Sequence, residues 1–498
     1  MLFNSVEFIF VFLPVVLLVF YMIGSYGNHR VAISWLVGAS LFFYGWWNPA
    51  YLGLMLASIL FNYAMGAALV SAKDRPRARY LMAAGVFCNL AALAYFKYAN
   101  FFVENLNALT GSGYHLGTII LPLAISFFTF QQITFLVDAF RGETREYNFL
   151  HYALFVTFFP QLIAGPIVHH REMLPQFAKD SIYRINQWNI SAGLAIFLLG
   201  LFKKVVLADG VAAYAIPVFD AAENGVVITF FEAWAGALAY TFQLYFDFSG
   251  YSDMAIGIAR MFNINLPLNF NSPYKAVNII EFWRRWHMTL SRFLRDYLYF
   301  PLGGNRKGLS RRYVNLMITM LLGGLWHGAG WTFVLWGLMH GVFLVINHAW
   351  HGLRRLIGSA PGSLGFPGRS VAWLVTFLSV VASWVMFRAE SFAGATNILH
   401  GMSGMNGFVL PAQIAAIIPG LDGVVETVGT MPLLGGGSIM GVFEMVGMFL
   451  LMFFLVAMPA SHEMKPRLQL AALVGSFYFT VQAVLFSRVP SEFLYFQF

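Results

Sequence analysis

The sequence predicts an all-α polytopic membrane protein, with about 11–13 transmembrane helices and re-entrant and interfacial helices between them. Three observations lead there. Of 498 residues, 59% are hydrophobic and only 10% charged, with a mean hydropathy of +0.69. A soluble domain carries roughly 25% charged residues and needs them to face water. Apolar runs near the ~20 residues that a helix needs to cross a bilayer recur along the whole chain. Lys and Arg gather in short loops between those runs, the distribution that orients a chain in a membrane. The runs are read as helices because lipid-exposed backbone must satisfy its own hydrogen bonds.

The runs fall at 7–23, 31–47, 50–70, 80–98, 118–139, 189–207, 226–246, 313–326, 330–349, 371–388, 441–460 and 468–487. The first lacks a basic leader and a small-residue cleavage site, so it is expected to be a retained span rather than a signal peptide. Basic stretches at 71–79, 141–146, 271–312 and 351–356 are placed in the cytoplasm; 99–117, 208–225 and 390–440 are nearly free of Lys and Arg and are placed outside, as is the N-terminus. Residues 149–168 are apolar between two basic stretches and contain Pro160 and Pro166, which break helices. They are read as re-entrant, beside a cavity that tolerates irregular backbone. EFWRRWHMTLSRFLRDYLYF (281–300) has helical spacing, with Glu281–Arg285 and Arg292–Asp296 at i, i+4, and reads as an interfacial helix. The chain is expected to form one integral-membrane domain over 1–498. Its core would cover about 80–390, with peripheral N-terminal helices at 1–79 and C-terminal helices at 391–498.

The net charge of +8 does not indicate nucleic acid, because the basic residues sit in the connecting loops. The single cysteine, Cys88, excludes an internal disulfide and a Cys-based metal site. No metal site is expected at the His169–His170 pair, which has no carboxylate cluster at ligand spacing.

Three histidines stand apart. GLWHGAGWT (324–332) puts His327 among glycines at a helix break, where a ligand and backbone can approach closely. His340 lies within the next span, and His287 lies in the interfacial helix. Ionisable groups within a membrane mark pathways, relays or catalytic sites, and histidine is the usual general base near neutral pH. The bland alternatives are an inter-helical hydrogen bond for His340 and an interfacial position for His287. QLYFDFSGYSDMAIG (243–257) reads either as a helix end capped by Asp247 or Ser249, or as the polar wall of a chamber. Arg284, Arg285, Arg292 and Arg295 belong to a basic cluster suited to anionic lipid or to the phosphates of a donor.

These stretches resemble the membrane-bound O-acyltransferases, in particular the bacterial branch that acetylates exopolysaccharides. The likeness is carried by YFKYANF (95–101), LPLAISFFTFQ (121–131), FPQLIAGPI (159–167), the 243–257 stretch with Phe242 in place of its usual leading Leu, EFWRRWHMTLSRFLRDYLYFPLGGNR (281–306) and LLGGLWHGAGWTFVLWGLMHG (321–341). It runs from about residue 1 to about 400, and the ending FLYFQF is also similar. The resemblance implies a ring of helices around a central reaction chamber, with His327 and His287 as the catalytic pair. On the reading of the residues themselves, His340 or Asp247 would support them, and Arg284, Arg285, Arg292 and Arg295 would bind the donor. The resemblance further implies no tightly bound cofactor, an acetyl-CoA or other acyl-thioester co-substrate, and a multi-pass location in the bacterial inner membrane. The expected partners are the lipid bilayer, the acyl-CoA donor, a periplasmic acetyltransferase and a polysaccharide acceptor such as alginate or cellulose. Two other classes remain open: a transporter of acyl groups or small solutes, against which the lack of an internal repeat counts, and a non-catalytic scaffold for a polysaccharide synthase.

Overall fold

The computed structural model describes residues 1–72, 76–143, 148–356, 358, 365–416, 425–458, 477, 480–481, 484 and 494. The predicted span 468–487 and the FLYFQF ending lie largely outside them. The described chain is helical almost throughout, and seven of its helices are long and apolar enough to cross a membrane. Its one small sheet pairs Val409–Pro411 with Glu426–Val428 in parallel. By internal contacts the chain divides into two compact units. The first is Met1–Phe202, Gly250–Leu268 and Ala471–Val489; the second is Lys203–Ser249, Asn269–Leu470 and Pro490–Phe498.

The first unit is built on the helices Phe8–Ser25, His29–Gly45, Ala50–Ser71 and Pro76–Thr110. The expected span at 118–139 is shorter than predicted: the helix is Ile125–Phe140. Pro122 lacks the N–H that a helix interior needs, and Ala124 takes a left-handed backbone at φ 60°, so the chain enters the helix only at Ile125. Apolar matching cannot hold helices together in lipid, and here polar pairs and small residues do it. Asn62 and Asn89 exchange amide hydrogen bonds of 3.1 and 2.6 Å between their helices, and Gly66 lies directly under the Phe135 ring. The proline-broken stretch forms a helix at Phe149–Thr157, a bend at Phe158 and one turn at Phe159–Leu162. It is buried among protein side chains, with Phe155, Phe158 and Phe159 fully enclosed.

The second unit holds Asp209–Glu223, the helical hairpin Gly308–His327 and Trp331–Leu356, Phe366–Arg388, Phe392–Met402 and Ile439–Ala457. The stretch 208–225, expected as a loop, is therefore mostly helical: Ala, Val and Phe fill its turns, and Pro217 does not end it. The 243–257 stretch lies inside one long helix, Phe230–Met261, so Asp247 and Ser249 cap nothing. Residues 243–257 contain no proline to end the helix. The expected interfacial helix over 281–300 is interrupted. It runs Ile279–Arg285, breaks at Trp286–His287, and resumes at Met288–Leu294. The Glu281–Arg285 pair forms at 2.9 Å, whereas Asp296 pairs with its neighbour Arg295 at 2.7 Å instead of with Arg292.

Candidate active site

His327 ends the Gly308–His327 helix, and after three residues the chain re-enters a helix at Trp331. The glycines around it serve close approach. Gly324 and Gly337 face each other across the hairpin, and a Cβ on either would collide with the opposite backbone, at the carbonyl of Phe333 or of Met320. This small-residue contact brings the two helices together more closely than any side chain would allow. His327 is only 5% exposed, and its ring lies against Trp326, Trp336 and Phe387 at centroid distances of 4.8, 5.1 and 5.1 Å. Protein aromatic rings thus flank the imidazole.

His287 sits at the break between the two short helices. Its backbone is left-handed (φ 42°, ψ 54°), a conformation that costs a non-glycine residue on the order of 1–3 kcal/mol. Asn269 holds it there. The Met288 N–H donates to the Asn269 carbonyl at 2.9 Å, and Asn269 Oδ1 lies 3.0 Å from His287 Nδ1. The same oxygen accepts from the Thr289 hydroxyl at 2.8 Å and from the Thr289 backbone N–H at 3.4 Å; the N–H can only donate, which identifies this atom as the acceptor end of the amide. His287 Nδ1 therefore carries the hydrogen, and Nε2 carries the lone pair. The ring is fully buried, edge-on to Phe248 at 4.7 Å and 6.3 Å from Trp326. Burial pushes its pKa down to about 3, so it is neutral in the folded protein. Both candidate catalytic imidazoles thus lie against one indole, Trp326.

His340 is a cross-brace. Its Nδ1 accepts from Trp283 Nε1 at 3.3 Å, and its Nε2 lies 3.0 Å from Ser383 Oγ, which itself donates to the Val380 carbonyl. Three segments meet at this ring, and it shares the Trp336 indole with His327. Asp247 is buried in an ion pair with Lys204 at 2.7 Å and accepts from the Leu494 backbone at 3.1 Å. Lys204 also reaches Asp209 at 2.6 Å. Lys204 was not singled out from the sequence; a lysine in the apolar run LFKKVVLA, a turn and a half before an aspartate, was the available signal. Asn269 carried no comparable signal, because only the fold brings it to His287.

Of the four arginines, Arg284, Arg292 and Arg295 line one cavity of about 600 Å3, together with Arg312, Trp283 and Met320. Arg285 does not join them: it pairs with Glu281 and donates to the Asn271 carbonyl at 3.2 Å. Hydrogen bonds to Asp296 raise the Arg295 pKa, and the same carboxylate partly balances its charge. His287, His327 and His340 do not line this cavity; only residues near them in the chain or bonded to them do. Trp283 donates to His340, Met288 follows His287, and Met320 is two helical turns, roughly 10 Å, before His327. Among the described residues, no group of three or more His, Cys, Asp or Glu is placed to hold a metal ion.

Comparison with known proteins matches this arrangement to a family. The sequence pattern of the membrane-bound O-acyltransferase family fits residues 138–385, which contain His287, His327, His340, Asp247, Lys204, Asn269 and the cavity arginines. A peptidoglycan O-acetyltransferase of Helicobacter pylori is 47% identical over 437 residues, 82% of this chain and 81% of that protein. A probable alginate O-acetylase of Pseudomonas aeruginosa is 42% identical over 441 residues, 87% of this chain and 80% of its own. A teichoic acid D-alanyltransferase of Bacillus subtilis is 29% identical over 45% of this chain and 58% of its own. The chain belongs to the membrane-bound O-acyltransferase family and is a multi-pass membrane acyltransferase.

Proposed function

We propose that the protein transfers an acetyl group from a cytoplasmic thioester, acetyl-CoA, to a hydroxyl destined for a polysaccharide outside the bacterial inner membrane. The observation that carries this reading is the pair of buried imidazoles on Trp326, beside a cavity lined by Arg284, Arg292, Arg295 and Arg312. Two relatives that align over more than four fifths of this chain are named for O-acetylation of peptidoglycan or alginate, which supports a cell-wall or exported polysaccharide acceptor. Arginine recognises phosphate through its planar fork, so the cavity suits the phosphates of coenzyme A.

A thioester carbonyl is already activated, so the site must place it, deprotonate the acceptor and exclude water. His327 takes the hydroxyl proton as the new C–O bond forms. The C–S bond then breaks, and the thiolate leaves with a proton. A general base of this kind typically contributes about 10²–10⁴ in rate. With its hydrogen on Nδ1, His287 presents an acceptor at Nε2. It therefore positions a substrate O–H or N–H and does not polarise the carbonyl. His340 and Asp247 act at one remove, through Trp336 and through the helix turn that carries Phe248. The acetyl group passes to the polymer directly or through a periplasmic acetyltransferase partner, and no tightly bound cofactor is needed.

The test is release of free coenzyme A by purified, reconstituted protein given acetyl-CoA and an acceptor polymer. Turnover that depends on acceptor supports the reading. Uptake or passage of solute without thioester cleavage would replace it with transport, and no activity of either kind would leave a scaffold.

A further inference from the structure

The arginines near the donor cavity are not equivalent. Arg295 is partly balanced by Asp296, and Arg285, which does not line the cavity, by Glu281. Arg312 lines the cavity from the first helix of the Gly308–His327 and Trp331–Leu356 hairpin, and its contact is a histidine on the second. Arg312 Nη2 lies 3.0 Å from His348 Nδ1 and 3.1 Å from His348 Nε2. Among the described residues, no carboxylate pairs with Arg312.

A guanidinium at that distance requires a neutral imidazole, because an imidazolium would repel it. The neutral ring can hold the guanidinium in place without cancelling its charge, whereas a carboxylate would do both. Arg312 has reason to be held. A second cavity, of about 550 Å3, borders it as well, so the side chain has room to turn away from the first. Ordering a long side chain during binding lowers affinity about two- to tenfold. The contact with His348 orders Arg312 before the donor arrives. It engages one guanidinium nitrogen and does not by itself occupy the planar fork that grips phosphate.

We propose that His348 is a positioning residue: it holds Arg312 toward the donor cavity, where the guanidinium binds a phosphate of acetyl-CoA. This rests on the acetyl-CoA reading above and adds the pair of residues that separates phosphate-bearing thioesters from phosphate-free ones.

The test compares cleavage of acetyl-CoA with cleavage of S-acetylpantetheine, which has the same thioester arm and no phosphate, by reconstituted full-length protein given acceptor polymer. The wild type should prefer acetyl-CoA in kcat/KM. His348→Ala should raise the KM for acetyl-CoA about two- to tenfold with little change in kcat, and the preference should fall by the same factor. Arg312→Gln should lower the preference further, by about 10- to 100-fold, because it removes a charge-assisted hydrogen bond. His348→Gln keeps a neutral acceptor and should restore most of the preference. Equal losses with both thioesters would show that His348 only supports the fold and would overturn the proposal, as would an unchanged preference in His348→Ala or Arg312→Gln. A wild type that cleaves acetyl-CoA without preferring it would overturn the proposal and leave acetyl transfer standing. A wild type that cleaves neither thioester would remove the acetyl-CoA reading and the proposal together.

Discussion

Replacing Asn269 with alanine should damage both the fold around His287 and the reaction. Asn269 is fully buried, and its side-chain oxygen receives His287 Nδ1 at 3.0 Å and the Thr289 hydroxyl at 2.8 Å. Alanine leaves two buried donors without an acceptor, at about 1–3 kcal/mol each. Part of that is offset because the strained His287 backbone can then relax, which returns on the order of 1 kcal/mol. A net loss of roughly 2–4 kcal/mol lowers the melting midpoint by about 2–4 °C, because the unfolding entropy of a chain this long is about 1 kcal/mol/K. Loss of the fixed tautomer and a shift of about 1 Å in the ring should cost about 10²-fold in turnover. Detergent-solubilised protein would be assayed by thermal unfolding and by acetyl-CoA cleavage. Asn269→Asp keeps the acceptor, so it should melt near the wild type. Its carboxylate also favours a protonated His287, which moves the pH–rate profile. Wild-type stability and turnover in Asn269→Ala would refute the account of how His287 is held.

Lys204→Met should be severely destabilising, by about 3–5 kcal/mol, because it strands Asp247 in a buried site; the Lys204→Met, Asp247→Leu double variant should recover much of the loss in thermal unfolding. Gly324→Ala should force the hairpin helices apart and reduce both melting point and turnover. Gly53→Ala, with nothing within 4 Å of the added methyl, should be neutral or stabilising by up to about 1 kcal/mol. His287 is held neutral when folded, with a pKa of about 3, while the unfolded imidazole titrates near 6.5. The unfolded chain therefore binds more protons between those values, and stability falls as pH drops below about 6.5. Melting points measured from pH 7.5 to 5 should decline less steeply in His287→Gln than in the wild type.

Helix type and family were legible because they rest on long, redundant signals: apolar length, basic loops and extended motifs. The helix break at His327 was legible because glycines crowd around it in the sequence. The features that escaped were set by single residues acting at a distance. The left-handed backbone at His287 breaks an otherwise regular amphipathic pattern, and Asn269, 18 residues upstream, helps hold that conformation. The stretch around Asp247 looked like a helix end because it is polar. Lys204 neutralises Asp247 inside a continuous helix, and the pairing depends on tertiary structure. The i, i+4 pairing of Arg285 with Glu281 was legible in sequence, but not that Arg285 lies outside the cavity its neighbours line.

The most direct measurement is the acetyl content of polymer made by cells carrying His327→Ala, with the amount of protein in the membrane monitored alongside. The account predicts normal protein levels and transfer reduced by about 10²–10⁴. Wild-type acetyl content in that variant would show that the buried imidazole at 327 is not the base.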